Sequence, residues 1–192
     1  MLSIVSGPTC VGKTYFIENK KDRILELSNL PPTTESYVTG SFSSNHSEFP
    51  DVVSHWIKRN DGGAIFDQIV CIHHNRLTDL YPAGPGPIRE LINAYKDNYW
   101  YFSKTVIILG VPYSEYKSRV QLRWEEHALL QGPQARESRI KKGPRVEPSP
   151  HFVNLYKEWI VELNKDKIPY VLVEAIGDYK VLEEEEFLRM LK

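Results

Sequence analysis

Short apolar runs alternate with longer amphipathic stretches along the chain, and this alternation predicts the secondary structure. Short apolar runs bounded by polar or turn-forming residues are typical of buried strands, whereas apolar residues spaced three to four apart are typical of helices. The predicted strands lie at residues 2–6, 36–39, 69–72, 105–109 and 170–173. The predicted helices lie at residues 13–27, 51–59, 88–95, 114–130, 152–164 and 182–191. This order predicts an α/β fold, a three-layer α/β/α arrangement around a five-stranded parallel sheet.

Two segments interrupt the alternation. Residues 40–50 are polar and contain few helix-forming residues, so they are predicted to form a loop after the second strand. Residues 131–150 contain two Gly-Pro pairs, which exclude a long helix, and they predict a flexible basic loop. The basic residues of this segment are Arg136, Arg139, Lys141, Lys142 and Arg145. A loop of this length in a compact domain is usually functional or disordered.

The length and charge of the chain narrow its class. A chain of 192 residues is expected to form a single domain over residues 1–192. Lys and Arg number 24 against 25 Asp and Glu, so no overall charge favours a nucleic-acid duplex or an anionic membrane as partner. No apolar run approaches the roughly 20 residues of a membrane span, and Cys10 and Cys71 match no metal-ligand spacing. We therefore expect a cytoplasmic protein.

The first predicted strand runs into a glycine motif that opens the first predicted helix. The residues are Gly7-Pro8-Thr9-Cys10-Val11-Gly12-Lys13-Thr14, which match the Walker A pattern G-x-x-x-x-G-K-[ST] at every fixed position. Glycines allow consecutive backbone N–H groups to face an anion, and the helix N-terminus adds partial positive charge. In this pattern Lys13 reaches the β- and γ-phosphates, and the Thr14 hydroxyl ligates Mg²⁺. The motif predicts a site for a nucleoside triphosphate.

On this motif and on the order of its elements, the sequence resembles the P-loop NTPase superfamily and, within it, the nucleoside and nucleotide kinases. The strict motif covers residues 7–14, and the order of elements spans nearly the whole chain. The resemblance implies a P-loop kinase-like fold, ATP as the phosphoryl donor and Mg²⁺ as the metal. It also implies that the loop after the fifth strand passes the adenine ring, with backbone contacts from Ala175 to Gly177.

Arg119 and Arg123 lie on one face of the helix predicted after the fourth strand, because they are four residues apart. Two like charges at this spacing repel each other unless an anion lies between them, and a triphosphate is such an anion. The resemblance to nucleotide kinases implies that this helix enters an arginine-bearing lid, in which Arg136 and Arg139 would surround the moving phosphoryl group. A closing lid that places positive charge there would supply much of the catalysis.

The end of the third predicted strand has no carboxylate, although many nucleotide kinases carry Asp or Glu there. His73 and His74 stand at this point, and either would hold a Mg²⁺-bound water, accept a proton or pack at the strand end. Arg76 follows and resembles the arginine that holds the acceptor in kinases of this group.

The general base is left open by the sequence. Kinases that phosphorylate hydroxyls often carry a carboxylate soon after the second strand, and Glu48 and Asp51 are the candidates, with His46 nearby. Asp51 also suits the start of a helix, because it follows a proline and precedes two valines.

The predicted function is transfer of the γ-phosphoryl group of ATP to a hydroxyl or phosphate of a nucleoside-like or other small molecule. Three alternatives share the phosphate loop. One is a kinase that modifies nucleic-acid bases, and another is a nucleotide-binding module without turnover, suggested by the absent acid. The third is a prenyltransferase of the tRNA isopentenyl type, whose similar opening holds a diphosphate. A GTPase is disfavoured, because Asn164-Lys165-Asp166-Lys167 has Lys where an Asp must pair with guanine.

Overall fold

The structure is a computed structural model of the 192-residue chain. It describes residues 2–8, 10–29, 35–37, 68–74, 105–130, 148–165 and 169–192, together with residues 132, 133, 137, 140, 143, 144, 146 and 167. The loop predicted at residues 40–50 and the helices predicted at 51–59 and 88–95 lie outside the described residues.

Six described strands form one sheet. They are β1 (Leu2–Pro8), β2 (Glu35–Tyr37), β3 (Gln68–His74), β4 (Thr105–Gly110), β5 (Tyr170–Glu174) and β6 (Val181–Leu182). Their order in the sheet is β2-β3-β1-β4-β5-β6, with β1 to β5 parallel and β6 antiparallel to β5. The five-stranded prediction was therefore wrong by one antiparallel edge strand, because the two residues of β6 are too few to show an alternating pattern.

Five helices have defined bounds within the described residues. They are α1 (Lys13–Asn19), α2 (Lys21–Ser28), α3 (Tyr113–Leu129), α4 (Ser149–Lys165) and α5 (Glu184–Met190). Within the described ranges, none of the helices has the length and apolar character needed to cross a membrane.

The single helix predicted over residues 13–27 is two helices in the structure. Lys20 separates them with a backbone conformation of φ −131° and ψ 34°, which is outside the helical region. Just before it, the side-chain amide of Asn19 donates to the backbone carbonyl of Tyr15 at 3.0 Å. Asn readily satisfies backbone groups with its side chain and so favours helix ends over helix interiors. The apolar periodicity continues across the break, and for that reason the sequence did not reveal it.

The sheet has helices on both faces. On one face, Ser3 of β1 and Ser28 of α2 share a buried hydrogen bond between their hydroxyls at 2.6 Å. Ser3 pairs with Thr105 of β4, so Gly110, five residues further along β4, points to the opposite face. There α5 covers Gly110, since the ring of Phe187 lies where a Cβ on Gly110 would be. The sheet is thus the middle of three layers.

Among the described residues, helix α4 supplies the two largest fully buried side chains, those of Trp159 and Tyr156. Phe152, Tyr156 and Trp159 are completely buried, at the three-to-four-residue spacing that places them on one helix face. The Tyr156 ring meets the Phe187 ring of α5 edge-on at 5.4 Å, and its hydroxyl donates to the carbonyl of Leu109 at 3.0 Å. Tyr156 and Trp159 are therefore core residues.

The segment at residues 131–150 is not entirely a loop. Its described residues Pro133, Glu137 and Ile140 are helical, and α4 begins inside it at Ser149. Proline at the first turn of a helix loses no hydrogen bond, so Gly132-Pro133 is compatible with a helix start as well as with a break.

Substitution of Gly110 by Ala tests the packing of α5 on the sheet. The added Cβ would lie 2.5 Å from Phe187 Cζ and 3.0 Å from Leu191 Cδ2, so the helix must shift. We expect Gly110→Ala to lower the free energy of unfolding by about 1–3 kcal/mol in urea denaturation. Gly132→Ala is the matched control, because no atom lies within 4 Å of its added Cβ. Equal stability of the two variants would contradict this packing.

Substitution of Tyr156 by Phe tests the buried hydroxyl and has a defined pH dependence. Burial, with a smaller contribution from Tyr116, raises the pKa of the Tyr156 hydroxyl well above its ordinary value. At pH 7 the variant leaves the Leu109 carbonyl without this donor and should lose about 1–3 kcal/mol of unfolding free energy. The unfolded chain releases the Tyr156 proton at a pKa of about 10, whereas the folded protein releases it only at a higher pH. The hydroxyl therefore contributes its full stabilisation below pH 10, and this contribution is lost as the pH rises above 10.

The stability difference between wild type and Tyr156→Phe should therefore narrow above pH 10, because only the wild type carries this titrating group. Urea unfolding of both proteins at neutral pH and above pH 10 measures the difference. A difference that does not change with pH would show that the hydroxyl titrates normally.

Candidate functional site

The phosphate-loop motif lies where the connections of the sheet diverge. Strand β1 stands between β3 and β4, and the chain leaves β1 toward β2 on one side but leaves β4 toward β5 on the other. In open parallel sheets, the crevice outside the carboxyl ends of two such strands is where ligands bind. The residues between β1 and α1 occupy this position.

The backbone of the loop approaches β4 too closely for a side chain at its first glycine. A Cβ on Gly7 would lie 2.8 Å from the Leu109 carbonyl oxygen and 2.8 Å from Val11 Cγ2, and Gly7 has φ +150°. Gly12, the N-cap of α1, has φ +94°, and Cys10 has φ +71°. Residues 10 and 12 thus take conformations with positive φ, which curve the chain into the start of α1.

Lys13 is a buried lysine that binds its own loop. Only 3% of its surface is exposed, and its Nζ donates to the Gly7 carbonyl at 2.7 Å and to the Pro8 carbonyl at 2.5 Å. The ammonium group therefore stabilises the curvature of the loop. Thr14 follows it with an exposed side chain beside the same cavity.

A cavity of about 830 Å³ opens above the loop. Its volume lies in the range of small-molecule and cofactor sites. Its lining residues come from the loop, α1, α3 and the turn after β5. They are Cys10, Gly12, Lys13, Thr14, Tyr15, Lys20, Arg119, Leu122, Arg123, Glu126, His127, Ala175, Ile176, Gly177 and Tyr179. The structure therefore brings four predicted loop residues together with both arginines of α3 and with Ala175 and Gly177, whereas Gly7, Pro8 and Val11 do not line the cavity.

Arg119 and Arg123 both line this cavity from α3 but have different contacts. Arg119 donates from Nη1 to the carbonyl of Val11 and from Nη2 to the carbonyl of Ala175, both at 3.1 Å. Its Nε donates to Glu115 Oε1 at 2.7 Å. Arg123 is exposed, and its contact among the described residues is a long one of 4.0 Å from Nη1 to Cys10 Sγ.

The turn after β5 closes the other end of the cavity. Ala175 donates its N–H to the Gly110 carbonyl at 2.7 Å, which fixes the turn to the end of β4. Gly177 has φ +58°, and Tyr179 stacks on Phe16 of α1 with a ring distance of 4.6 Å. The predicted region of backbone contacts from Ala175 to Gly177 lies in this wall.

Tyr179 is a neutral group in the cavity wall at physiological pH. Burial raises the pKa of its hydroxyl above the ordinary value, the nearby Arg119 charge lowers it, and Tyr15 raises it further. The rise from burial exceeds the lowering from Arg119, so the hydroxyl keeps its proton and adds no negative charge to the cavity.

Six lining residues were not singled out from the sequence. They are Tyr15, Lys20, Leu122, Glu126, His127 and Tyr179. A helix face that contains Arg119 and Arg123 also contains residues three and four further on, so helical spacing alone would have found several of them. Tyr179 gave no such signal, because a turn with positive φ brings it to the site.

Several predicted site residues are not tested by the described part of the chain. Thr9, Glu48, Asp51, Arg76, Arg136 and Arg139 lie outside the described residues. His73 lies on β3 at the register position opposite Gly7, so its backbone is next to the start of the phosphate loop.

Comparison with known proteins gives a fold but no family. No protein-family model matches the chain, and neither does any curated protein. Among solved structures, it resembles a chain of the PezAT chromosomal toxin–antitoxin system of the human pathogen Streptococcus pneumoniae. Here the TM-score is 0.54 and the identity 10%, and the match covers 100% of this chain and 78% of that chain.

A second solved structure is deoxyadenosine kinase from M. mycoides with bound dATP, at a TM-score of 0.40 and 17% identity over 93% of each chain. The first likeness shows a shared α/β fold with a mostly parallel sheet and, at this identity, nothing beyond the fold. Function must therefore be inferred from the site itself.

Proposed function

We propose that this chain is an ATP-dependent phosphotransferase that moves the γ-phosphoryl group of ATP to a hydroxyl or phosphate of a small, nucleoside-like acceptor. The observation that carries the proposal is that one cavity is lined by Lys13 and Thr14 of the phosphate loop and by Arg119 and Arg123 of α3. A phosphate loop alone suits any nucleoside triphosphate. Several cations around one cavity are what phosphoryl transfer requires, because its catalysis is mostly positioning and charge stabilisation.

The cavity gives a bound nucleotide a direction. Arg123 contacts Cys10 of the phosphate loop, whereas Arg119, one helical turn earlier, contacts Val11 of the loop and also reaches Ala175 of the turn after β5. One helical turn advances about 5–6 Å along the helix axis. We therefore place the phosphates between Lys13 and Arg123, and the base toward the turn at Ala175 to Gly177.

Each phosphate-loop residue has a role consistent with its contacts. Gly7 and Gly12 take positive φ values that curve the backbone, so that its N–H groups would face an anion. Lys13 would turn its ammonium group from the loop carbonyls toward the β- and γ-phosphates. Thr14 would hold Mg²⁺ through its hydroxyl oxygen, a hard ligand exposed at the cavity. When bound, Mg²⁺ would supply positive charge that neutralises the phosphates of the nucleotide.

The acceptor side of the proposal depends on the sequence alone. Three roles stay predictions. Arg76 is predicted to bind the acceptor, and Arg136 and Arg139 are predicted to be lid residues. The group that takes the acceptor proton is predicted to be Glu48, Asp51 or His73. The structure contributes the register position of His73, whose backbone adjoins the loop at Gly7.

A scan for products tests the activity. The protein is incubated with γ-labelled ATP and Mg²⁺ against a panel of nucleosides, nucleotides and oligonucleotides, and the expected result is label transferred to one class of acceptor together with release of ADP. Label transferred to oligonucleotides would identify a kinase of nucleic-acid bases. ATP binding without transfer to any member of the panel would identify a nucleotide-binding module.

Calorimetric titration with ATP, ADP and dimethylallyl diphosphate tests the donor independently. We expect ATP and ADP to bind and the prenyl diphosphate to bind weakly or not at all, because the cavity extends from the loop to the turn after β5. Preferential binding of dimethylallyl diphosphate would overturn the kinase proposal and favour the prenyltransferase.

Lys13→Ala should remove most of the activity. A charge-assisted contact to the transferring phosphoryl group contributes several kcal/mol in a site that excludes water. Turnover above about a tenth of wild type, a loss below roughly 1.4 kcal/mol, would contradict the role of Lys13. The control is Lys157→Ala, which removes an exposed lysine of α4 that does not line the cavity and should keep wild-type turnover. Thermal unfolding of both variants verifies that each is folded.

A further inference from the structure

The two arginines of α3 face one cavity but are held to very different extents. Arg119 is 27% exposed and uses three nitrogens of its guanidinium group, whereas Arg123 is exposed and has the single long contact to Cys10 Sγ among the described residues. A cation that meets an incoming phosphate must be able to reorient toward it. Arg123 has this freedom, and Arg119 must break hydrogen bonds to obtain it.

The contacts of Arg119 connect two loops that are distant in sequence. Val11 belongs to the phosphate loop and Ala175 to the turn after β5, and Arg119 donates to both carbonyls. A Cβ on Gly12 would lie 3.2 Å from Nη1, so the guanidinium group also packs against the loop at its second glycine. The plane of this one side chain therefore fixes the separation of the two walls between which the nucleotide would lie.

Glu115 determines the orientation of that plane. Its Oε1 accepts from Arg119 Nε at 2.7 Å, four residues away on the same helix. A guanidinium group is planar and rigid, so fixing Nε also fixes the directions of both Nη groups. Glu115 does not line the cavity, and so its effect on a ligand would pass through Arg119.

The charge of Glu115 has a second effect. Two arginines at a spacing of four residues repel each other, and a carboxylate one turn before Arg119 offsets this repulsion without an anion in the cavity. Glu115 is 41% exposed and Arg119 27%, so solvent screens the pair and its contribution to global stability is small. The consequence of removing it should therefore be seen in ligand affinity more than in unfolding.

We infer that Glu115 is a positioning residue for nucleotide binding: it holds Arg119 as a bridge between the phosphate loop and the turn after β5, and it leaves Arg123 as the arginine that meets the terminal phosphate. This inference rests on the proposed function, since the ligand is a nucleotide. Arg119 and Arg123 thereby have different roles, whereas the sequence alone predicted that both surround one triphosphate.

The test compares Glu115→Ala with Glu115→Gln. The Ala variant removes the acceptor, so we expect ADP and ATP to bind more weakly by a similar factor of about ten, because both span the two walls. The Gln variant keeps a side-chain oxygen that accepts from Nε, so it should restore most of the affinity although it has lost the charge. Calorimetric titration with each Mg²⁺-nucleotide gives the affinities, and thermal unfolding of each protein without ligand should change little.

The matched control is Glu125→Ala. Glu125 lies on the same helix, accepts from Gln121 Nε2 at 2.6 Å over the same four-residue spacing, and does not line the cavity. Glu125→Ala removes the same charge and a hydrogen bond at the same spacing, here from a neutral amide, so nucleotide affinity should equal that of wild type. Arg123→Ala should weaken ATP more than ADP, because Arg123 is assigned to the terminal phosphate.

The outcomes separate this inference from the proposed function. If wild type and Glu115→Ala bind nucleotide equally well, the positioning role of Glu115 is overturned and the proposed function is unaffected. A Glu115→Gln variant as weak as Glu115→Ala also overturns it, because orientation would then not depend on the hydrogen bond. A wild type that binds neither nucleotide overturns the inference together with the proposed function.

Discussion

The close approach of the phosphate loop to the end of β4 is the constraint on which the site depends. Gly7 passes the Leu109 carbonyl with no room for a side chain, while that carbonyl accepts from Tyr156 in the core. One residue further along β4, the Gly110 carbonyl accepts from the N–H of Ala175. Two consecutive carbonyls of one strand therefore connect the loop region, the core helix and the turn after β5. The relative positions of these parts are set by backbone groups, which most substitutions leave in place.

Helix α3 extends this arrangement along the cavity. It begins at Tyr113, three residues after β4 ends, and among its described residues only Tyr116 and Ala128 are buried. A helix with so little core contact presents a largely polar surface, and one side of that surface lines the cavity. The helix is positioned near its start by Tyr113 and Tyr116, which pack on Phe152 of α4, and further along by Arg119, whose contacts reach both loops. Its charged residues therefore belong to the site as much as to the solvent-facing surface.

The sequence was sufficient where burial or a strict motif dominates. The strands predicted at residues 105–109 and 170–173 correspond to Thr105–Gly110 and Tyr170–Glu174, because burial of Val106 to Leu109 and of Leu172 and Val173 requires apolar residues there. The phosphate-loop pattern correctly placed a turn between β1 and α1, although β1 continues to Pro8. The break at Lys20 and the short strand β6 were missed, since each depends on the conformation of one or two residues.

The contacts of the site could be predicted only in part. Four-residue spacing placed Arg119 and Arg123 on one face, and the same spacing links Glu115 to Arg119. The carbonyls that Arg119 binds belong to Val11 and Ala175, and no local pattern shows that two segments so distant in sequence meet. The repulsion between the arginines suggested an anion as their shared partner, whereas backbone oxygens and a carboxylate already satisfy one of them.

The buried ammonium group of Lys13 has a consequence for how quickly an anion can associate. Two backbone carbonyls of the loop occupy the ammonium before any ligand arrives, so the curvature of the loop is established when the chain folds. The conformational entropy lost in ordering these residues is then not part of the binding step. An incoming polyanion would replace the two carbonyl contacts of the Lys13 ammonium group and would not need to order the loop first. Its association rate should therefore be set by diffusion and by the opening of the cavity, without a slow loop-folding phase.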